Sequence, residues 1–222
     1  GSTTLAAACK HITNYSSDHE SKASEIGSAR LDFDDWHIEA DNRLSWMLGS
    51  LEERYGNDAF YVHLQRDKSA TVKSFGSRWS YSSSIIKFLA QGVFSLVPEL
   101  LGEKDKEQIC EDYVDIINAN VKLFLKDKPN QMNIHLETID ADFEKFWGEI
   151  GAEGDLKAAI EELNTPHNAK ISTTKSESLE RKYELELELR ILSKKLQEEP
   201  IRGNRLALKV RIWAAKLAKQ LS

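Results

Sequence analysis

Residues 59–77 read AFYVHLQRDKSATVKSFGS. The stretch opens with Phe60-Tyr61-Val62-His63-Leu64, an apolar run rich in aromatic and β-branched residues. Bounded by polar residues, such a run predicts a buried strand. Gln65-Arg66-Asp67 follows, and Ser69 to Phe75 has the composition of a helix. A strand that ends in arginine and feeds a helix sets a fixed cation at the carboxyl edge of a sheet. That edge is where open α/β sheets bind ligands. Ser74, eight residues after Arg66, can add a hydroxyl to the same anion. The plainer reading pairs Arg66 with a local carboxylate such as Asp67.

Working outward toward the start, Trp36-His37-Ile38-Glu39-Ala40 alternates like a strand. Asp41-Asn42 then reads as the cap of a helix over Arg43 to Tyr55, with Leu44, Met47, Leu48 and Leu51 at helical spacing. Gly56-Asn57 closes it. With the run at Phe60, this is strand, helix, strand, the unit of a parallel sheet. Residues Thr13 to Arg30 are polar and loop-like; within them His19-Glu20 is either a solvated pair or an acceptor-side acid or base. Gly1-Ser2-Thr3-Thr4-Leu5 runs straight into Ala6-Ala7-Ala8-Cys9, a strong helix former. Its hydroxyls are ordinary helix caps or, alternatively, part of a phosphate cradle, because a helix N-terminus favours anions.

Working outward toward the end, Arg78-Trp79 and Ser80 to Ser84 form a polar turn, where Arg78 either meets a phosphate or stacks on Trp79. Phe88, Phe94, Leu96 and Leu100 read as core packing, with an acceptor pocket as the alternative. Lys106 to Lys126 is a helix on the spacing of Ile109, Tyr113, Ile116, Ile117, Val121 and Phe124. Met132 to Thr138 predicts a strand. Asp140 predicts the cap of a helix that turns Phe143, Phe146, Trp147 and Ile150 inward and ends at Gly151. A short helix from Gly154-Asp155-Leu156 follows, closed by Pro166-His167-Asn168.

From about Glu177 the character changes. Residues 177–197 predict a charged helix with Leu185, Leu189, Leu192 and Leu196 at heptad-like steps. Residues 201–221 predict an amphipathic helix with Leu206, Val210, Trp213, Leu217 and Leu221 on one stripe. Between Arg202 and Lys219 this helix has six basic residues and no acidic one. The pair reads as two antiparallel helices, acidic against basic. A membrane-surface helix and a homodimer contact are the alternatives.

The 222 residues fit one domain with an appendage, and 41% hydrophobic content supports a packed core. A net charge of −6 gives no general basic field, so nucleic acid is not an expected partner. Cys9 and Cys110 make neither a disulfide framework nor a zinc pattern, and His135 and His167 have no metal-ligand spacing. No signal peptide is visible, and no apolar run approaches the roughly 18 residues of a membrane helix. A reducing, cytoplasmic setting is the expectation.

Arg66 after a strand, with Ser74 eight positions on, resembles the sulfotransferases that use 3′-phosphoadenosine 5′-phosphosulfate (PAPS). Gly1-Ser2-Thr3-Thr4 resembles the second half of that family's 5′-phosphosulfate loop, whose first half, a strand and its basic residue, is missing from this sequence. His37-Ile38-Glu39 is similar to the Lys-x-His element on the strand before the arginine strand, and Asp67-Lys68 departs from the family's usual Asn-Pro or Asp-Pro. The strand, acidic turn and helix ending in Ile150-Gly151, and the later Gly-Asp-Leu and His-Asn, look like a bacterial branch of the family.

The resemblance covers residues 1–168. It implies a three-layer α/β sandwich at residues 1–172, with a central, mostly parallel sheet flanked by helices, followed by a C-terminal helical extension at 173–222. Arg66 and Ser74 would then hold the donor's 3′-phosphate. Gly1, Ser2, Thr3 and Thr4 would cradle its 5′-phosphosulfate. Glu39 would be the base, with His37 or Asp41 as alternatives, and no metal would be needed. The acceptor would be a small molecule, glycan or lipid. Another nucleotide-phosphate-binding transferase is a weaker reading, since no GxxxxGK[ST] stands in the chain. A non-catalytic helical partner-binding protein is the other alternative.

Overall fold

The computed structural model of the chain describes residues 1–79 and 84–165. The expected helices at 177–197 and 201–221, the close at Pro166-His167-Asn168 and the turn at residues 80–83 lie outside the described residues.

Helix α1, Ser2–Cys9, buries Leu5, Ala6, Ala8 and Cys9. Strand β1, Ser16–His19, pairs in parallel with β2, His37–Ala40, in the register Ser16 to His37 and His19 to Ala40. Helix α2, Leu48–Tyr55, follows a 3-10 turn at Asn42–Trp46. Strand β3, Tyr61–Gln65, leads into α3, Lys68–Gly76. A short α4, Ile85–Phe88, continues as a π-helical turn at Leu89–Val93. Helix α5, Glu103–Leu125, then precedes β4, Gln131–His135, which pairs in parallel with β3 in the register Tyr61 to Gln131 and Gln65 to His135. Helices α6, Ile139–Glu149, and α7, Leu156–Leu163, complete the described chain. No helix among the described residues is long and apolar enough to cross a membrane.

The architecture is mixed α/β, with parallel strands flanked by helices. Its strands form two separate two-stranded sheets among the described residues. The expected strand–helix–strand unit is corrected here: β2 pairs with β1, and β3 pairs with β4. Strand β1 lies inside the stretch expected to be a loop. Ser-Ser-Asp-His carries no apolar alternation. Only Ser17 is buried, where its hydroxyl donates to the Ala6 carbonyl of α1.

One core gathers Leu5, Ala8, Cys9 and Ile12 with Ile134, Phe143, Phe146, Ala159 and Leu163. Phe60, Val62 and Leu64 pack against it from the edge and from β3. Because side chains alternate along a strand, Tyr61, His63 and Gln65 take the other face. The Phe60 run is therefore half-buried rather than buried. A second core lies under α3 and α5, where Val72, Trp79, Ile86, Leu89, Ile109 and Tyr113 meet. Phe94 reaches it, but Phe88, Leu96 and Leu100 are 58%, 38% and 81% exposed, which overturns core packing for those three.

The expected helix caps are partly corrected. Asp41 caps the 3-10 turn, accepting from Arg43 N, and α2 begins later, after Met47. Thr138, not Asp140, stands at the N-cap of α6. Asp155 caps α7 by accepting from Ala158 N at 2.9 Å. Just before it, Gly154 has φ +136°, and a Cβ there would lie 2.2 Å from the His11 carbonyl oxygen. Only glycine allows the bridge to Ile12 that fastens α7 beside the end of α1.

Candidate functional site

The first turn of α1 lies at the carboxyl ends of strands from both sheets. Ser2 Oγ and Thr3 Oγ1 stand 3.0 and 3.4 Å from Nε2 of His19, the last residue of β1. A Cβ at Gly1 would come 2.8 Å from Leu136 Cδ1, on the residue after β4, so the helix starts beside the end of that strand. No side chain caps this turn. The first amides of a helix have no intrahelical acceptor, and the helix dipole makes this end favourable to an anion.

Arg66 follows β3 and is exposed. Its expected local partner is committed elsewhere: Asp67 caps α3, accepting from Ala70 N at 2.8 Å. The Asp67 amide donates to Glu137 Oε1 at 2.8 Å. That bond is the main cause holding the Glu137 carboxyl below the usual range, and the Arg66 charge adds to it. No ion pair of Arg66 is found among the described residues. Arg66 and Arg78 both reach Gly1 electrostatically. Burial first, and then these two cations, hold its amino group below the ordinary pKa.

Ser74 is engaged by Arg78, whose Nη2 donates to the Ser74 hydroxyl and whose Nε donates to its carbonyl, each at 3.1 Å. The Arg78 guanidinium lies over the Phe75 ring at 5.4 Å, not over Trp79. Arg78 is one helical turn from Ser74, a spacing at which helix side chains meet.

The three candidate bases stand on β2 or at its end. His37 and Glu39 share one face of the strand. Ser17 and Ile38 turn the other way, toward α1 and the first core. His37 Nε2 is 3.1 Å from Glu39 Oε2, and His37 Nδ1 is 2.8 Å from Ser16 Oγ. Glu39 also accepts from Ser21 N at 2.8 Å and from Ser21 Oγ at 2.5 Å. The His37 and Glu39 side chains are largely buried.

Asp41 is fully enclosed, with Oδ2 accepting from Arg30 Nη2 at 2.5 Å and Oδ1 from Arg43 N at 2.8 Å. The Arg43 side chain in turn meets Glu20 at 2.6 Å. So the structure joins His37 to Glu39, commits Asp41 to an ion pair, and brings His19 to the hydroxyls of α1.

The cysteines are no part of this. Burial pushes the Cys9 thiol up to about 12 and Cys110 to about 11, leaving both protonated and unreactive near neutral pH. Among the described residues, no group of three or more His, Cys, Asp and Glu side chains is arranged to hold a metal ion.

No protein-family model, no curated protein and no solved structure matches the chain.

Proposed function

We propose that the chain is a sulfotransferase that takes a sulfuryl group from PAPS and gives it to a hydroxyl or amine. What supports this reading is Arg66, an exposed cation at the carboxyl end of β3 without an ion pair among the described residues, together with the first turn of α1, which has no side-chain cap and stands at the carboxyl end of β1. A doubly charged 3′-phosphate suits Arg66, the Ser74 hydroxyl and Arg78. A 5′-phosphosulfate suits Gly1, Ser2, Thr3 and Thr4, where backbone N–H groups and the helix dipole oppose its charge. On this reading the two strand pairs belong to one central, mostly parallel sheet of a three-layer sandwich, and the setting is cytoplasmic.

In the reaction the acceptor oxygen or nitrogen forms a bond to sulfur, and the bond from sulfur to the bridging phosphate oxygen breaks. The acceptor proton passes to Glu39, which His37 and Ser21 hold in place. Adenosine 3′,5′-bisphosphate leaves with the electron pair. The cations and the α1 turn stabilise the charge that grows on the bridging oxygen.

Equilibrium binding of adenosine 3′,5′-bisphosphate and of adenosine 5′-monophosphate, each with and without chelator, tests the proposal. It expects the bisphosphate to bind at least about tenfold tighter, because a charged hydrogen bond contributes about 1.5–3 kcal/mol, and it expects chelator to change nothing. Equal affinity for the two nucleotides, or binding lost to chelator, would overturn it.

A further inference from the structure

Ser16, His37 and Glu39 form a line of hydrogen bonds on one face of the β1–β2 pair. Ser16 and His37 are partners in the register of the two strands, and Glu39 is two residues beyond His37 on β2, so the three side chains rise from the same face. Ser16 Oγ is 2.8 Å from His37 Nδ1, and His37 Nε2 is 3.1 Å from Glu39 Oε2.

The carboxylate fixes the role of each group. Glu39 accepts from Ser21 N at 2.8 Å and from Ser21 Oγ at 2.5 Å, which holds it in place. A carboxylate only accepts, so Nε2 carries the imidazole proton and donates to it. That leaves Nδ1 with a lone pair, and the Ser16 hydroxyl donates to it. The Phe33 ring lies nearly parallel to the imidazole, at 5.7 Å between centroids and 8° between planes, and steadies its orientation. A nucleophile, its base and a group that orients the base are thus in line.

Exposure runs in the same order. The His37 and Glu39 side chains are 9% and 6% exposed, whereas Ser16 is open to solvent. The base and the acid are shielded from water, and the hydroxyl that they serve is within reach of a substrate. Tyr15 and Trp36, the residues just before Ser16 and His37, bring aromatic surface to this end of the strands. Their rings meet edge to face at 5.3 Å, and Trp36 is 66% exposed. Trp36 has φ +57°, a left-handed conformation that is costly for a bulky residue and recurs at functional sites. Its carbonyl accepts from Ser16 N at 2.9 Å, which ties it to the serine.

We propose that Ser16 is the nucleophile of an ester-cleaving site, with His37 as its base and Glu39 orienting His37, and that its substrates are carboxylic esters carrying an aromatic group. Ser16 Oγ forms a bond to the ester carbonyl carbon, and its proton passes to His37 Nδ1 while Glu39 faces the imidazolium through Nε2–H. The bond from that carbon to the alcohol oxygen breaks, and the alcohol leaves with the proton that His37 took. Water then gives a proton to His37 and attacks the acyl group on Ser16. The carboxylic acid departs, and the proton returns to the Ser16 oxygen. This chemistry uses His37 and Glu39 but neither Arg66 nor the first turn of α1, so it stands apart from sulfuryl transfer.

The test is labelling of the full chain with a fluorophosphonate, which bonds to activated serine hydroxyls, read by peptide mass spectrometry, together with release of p-nitrophenol from p-nitrophenyl acetate. One adduct is expected, on Ser16, and its formation should end ester cleavage. Ser16→Ala, a change at an exposed position, should remove both. His37→Gln should slow both at least about a hundredfold, the usual contribution of a positioned base. Labelling of the unmutated chain in urea should be absent, and this decides the matter together with Ser16→Ala if His37→Gln does not fold. No adduct, an adduct only on another residue, Ser16 labelling that persists in urea or is unchanged in a folded His37→Gln, or cleavage unchanged by Ser16→Ala would each overturn the proposal. Titration with adenosine 3′,5′-bisphosphate alongside keeps the two readings apart. Labelling of Ser16 without bisphosphate binding leaves the serine site standing and removes the sulfotransferase, and the reverse removes only the serine site.

Discussion

Ser2 Oγ lies 3.0 Å from Nε2 of His19, and this contact ties the first turn of α1 to the carboxyl end of β1. With Thr3 3.4 Å from the same nitrogen, His19 fixes the direction of both hydroxyls. His19→Ala should therefore weaken binding of adenosine 3′,5′-bisphosphate about three- to tenfold, the loss of one or two neutral hydrogen bonds. His19→Gln keeps a polar atom in reach and should recover most of it. Calorimetric titration of both variants checks this; equal losses in the two would remove His19 from the site.

The pair Arg30–Asp41 is a matter of stability first. Both side chains are buried, so Asp41→Ala leaves a cation in the interior without its partner. Breaking such a pair costs about 3–5 kcal/mol. Urea unfolding of Asp41→Ala should show a loss of that order. A change below about 1 kcal/mol would mean that the pair is open to water in solution.

His63 gives the fold a pH dependence of definite sign. Burial first, and the charge of His135 second, lower its pKa below 6.5, against the opposing bond to Asn118. The folded state then binds fewer protons than the unfolded state between that lowered value and 6.5. Stability is fully present above 6.5 and falls as the pH drops through this window. His63→Gln should flatten the slope of unfolding free energy over that range, and an NMR titration should place the His63 midpoint below that of an unfolded peptide. A midpoint above 6.5 would reverse the sign.

The parts of this fold that could be read from sequence are those where periodicity and burial coincide. Phe60 to Leu64 and the helix after Asp67 announce themselves, because an apolar run and helical composition are local signals, while the Asp67 cap showed only in the structure. The helix from 103 to 125 does so as well, although Leu123 is 73% exposed, since spacing fixes the period and not how far the covering core extends. Strand β1 gave no such signal. Its one buried side chain is Ser17, held by a hydrogen bond to α1 rather than by apolar contact.

At the candidate site, Arg66 and Ser74 were singled out by their spacing, whereas Arg30 and Ser21 were not. Each matters through a partner distant in sequence, Asp41 and Glu39, that only the folded chain brings to it. Phe88, Leu96 and Leu100 fail the opposite way: aromatic and aliphatic composition suggests burial, yet all three lie on the surface.

The account rests most heavily on Arg66, a cation at a strand end without an ion pair among the described residues. The measurement that tests it most directly is calorimetric binding of adenosine 3′,5′-bisphosphate and adenosine 5′-monophosphate to the chain and to Arg66→Ala. Loss of one charged hydrogen bond, about 1.5–3 kcal/mol, predicts a fall of about ten- to a hundredfold for the bisphosphate and almost none for the monophosphate. Equal falls for both ligands, or a bisphosphate affinity unchanged by Arg66→Ala, would contradict a 3′-phosphate site at Arg66.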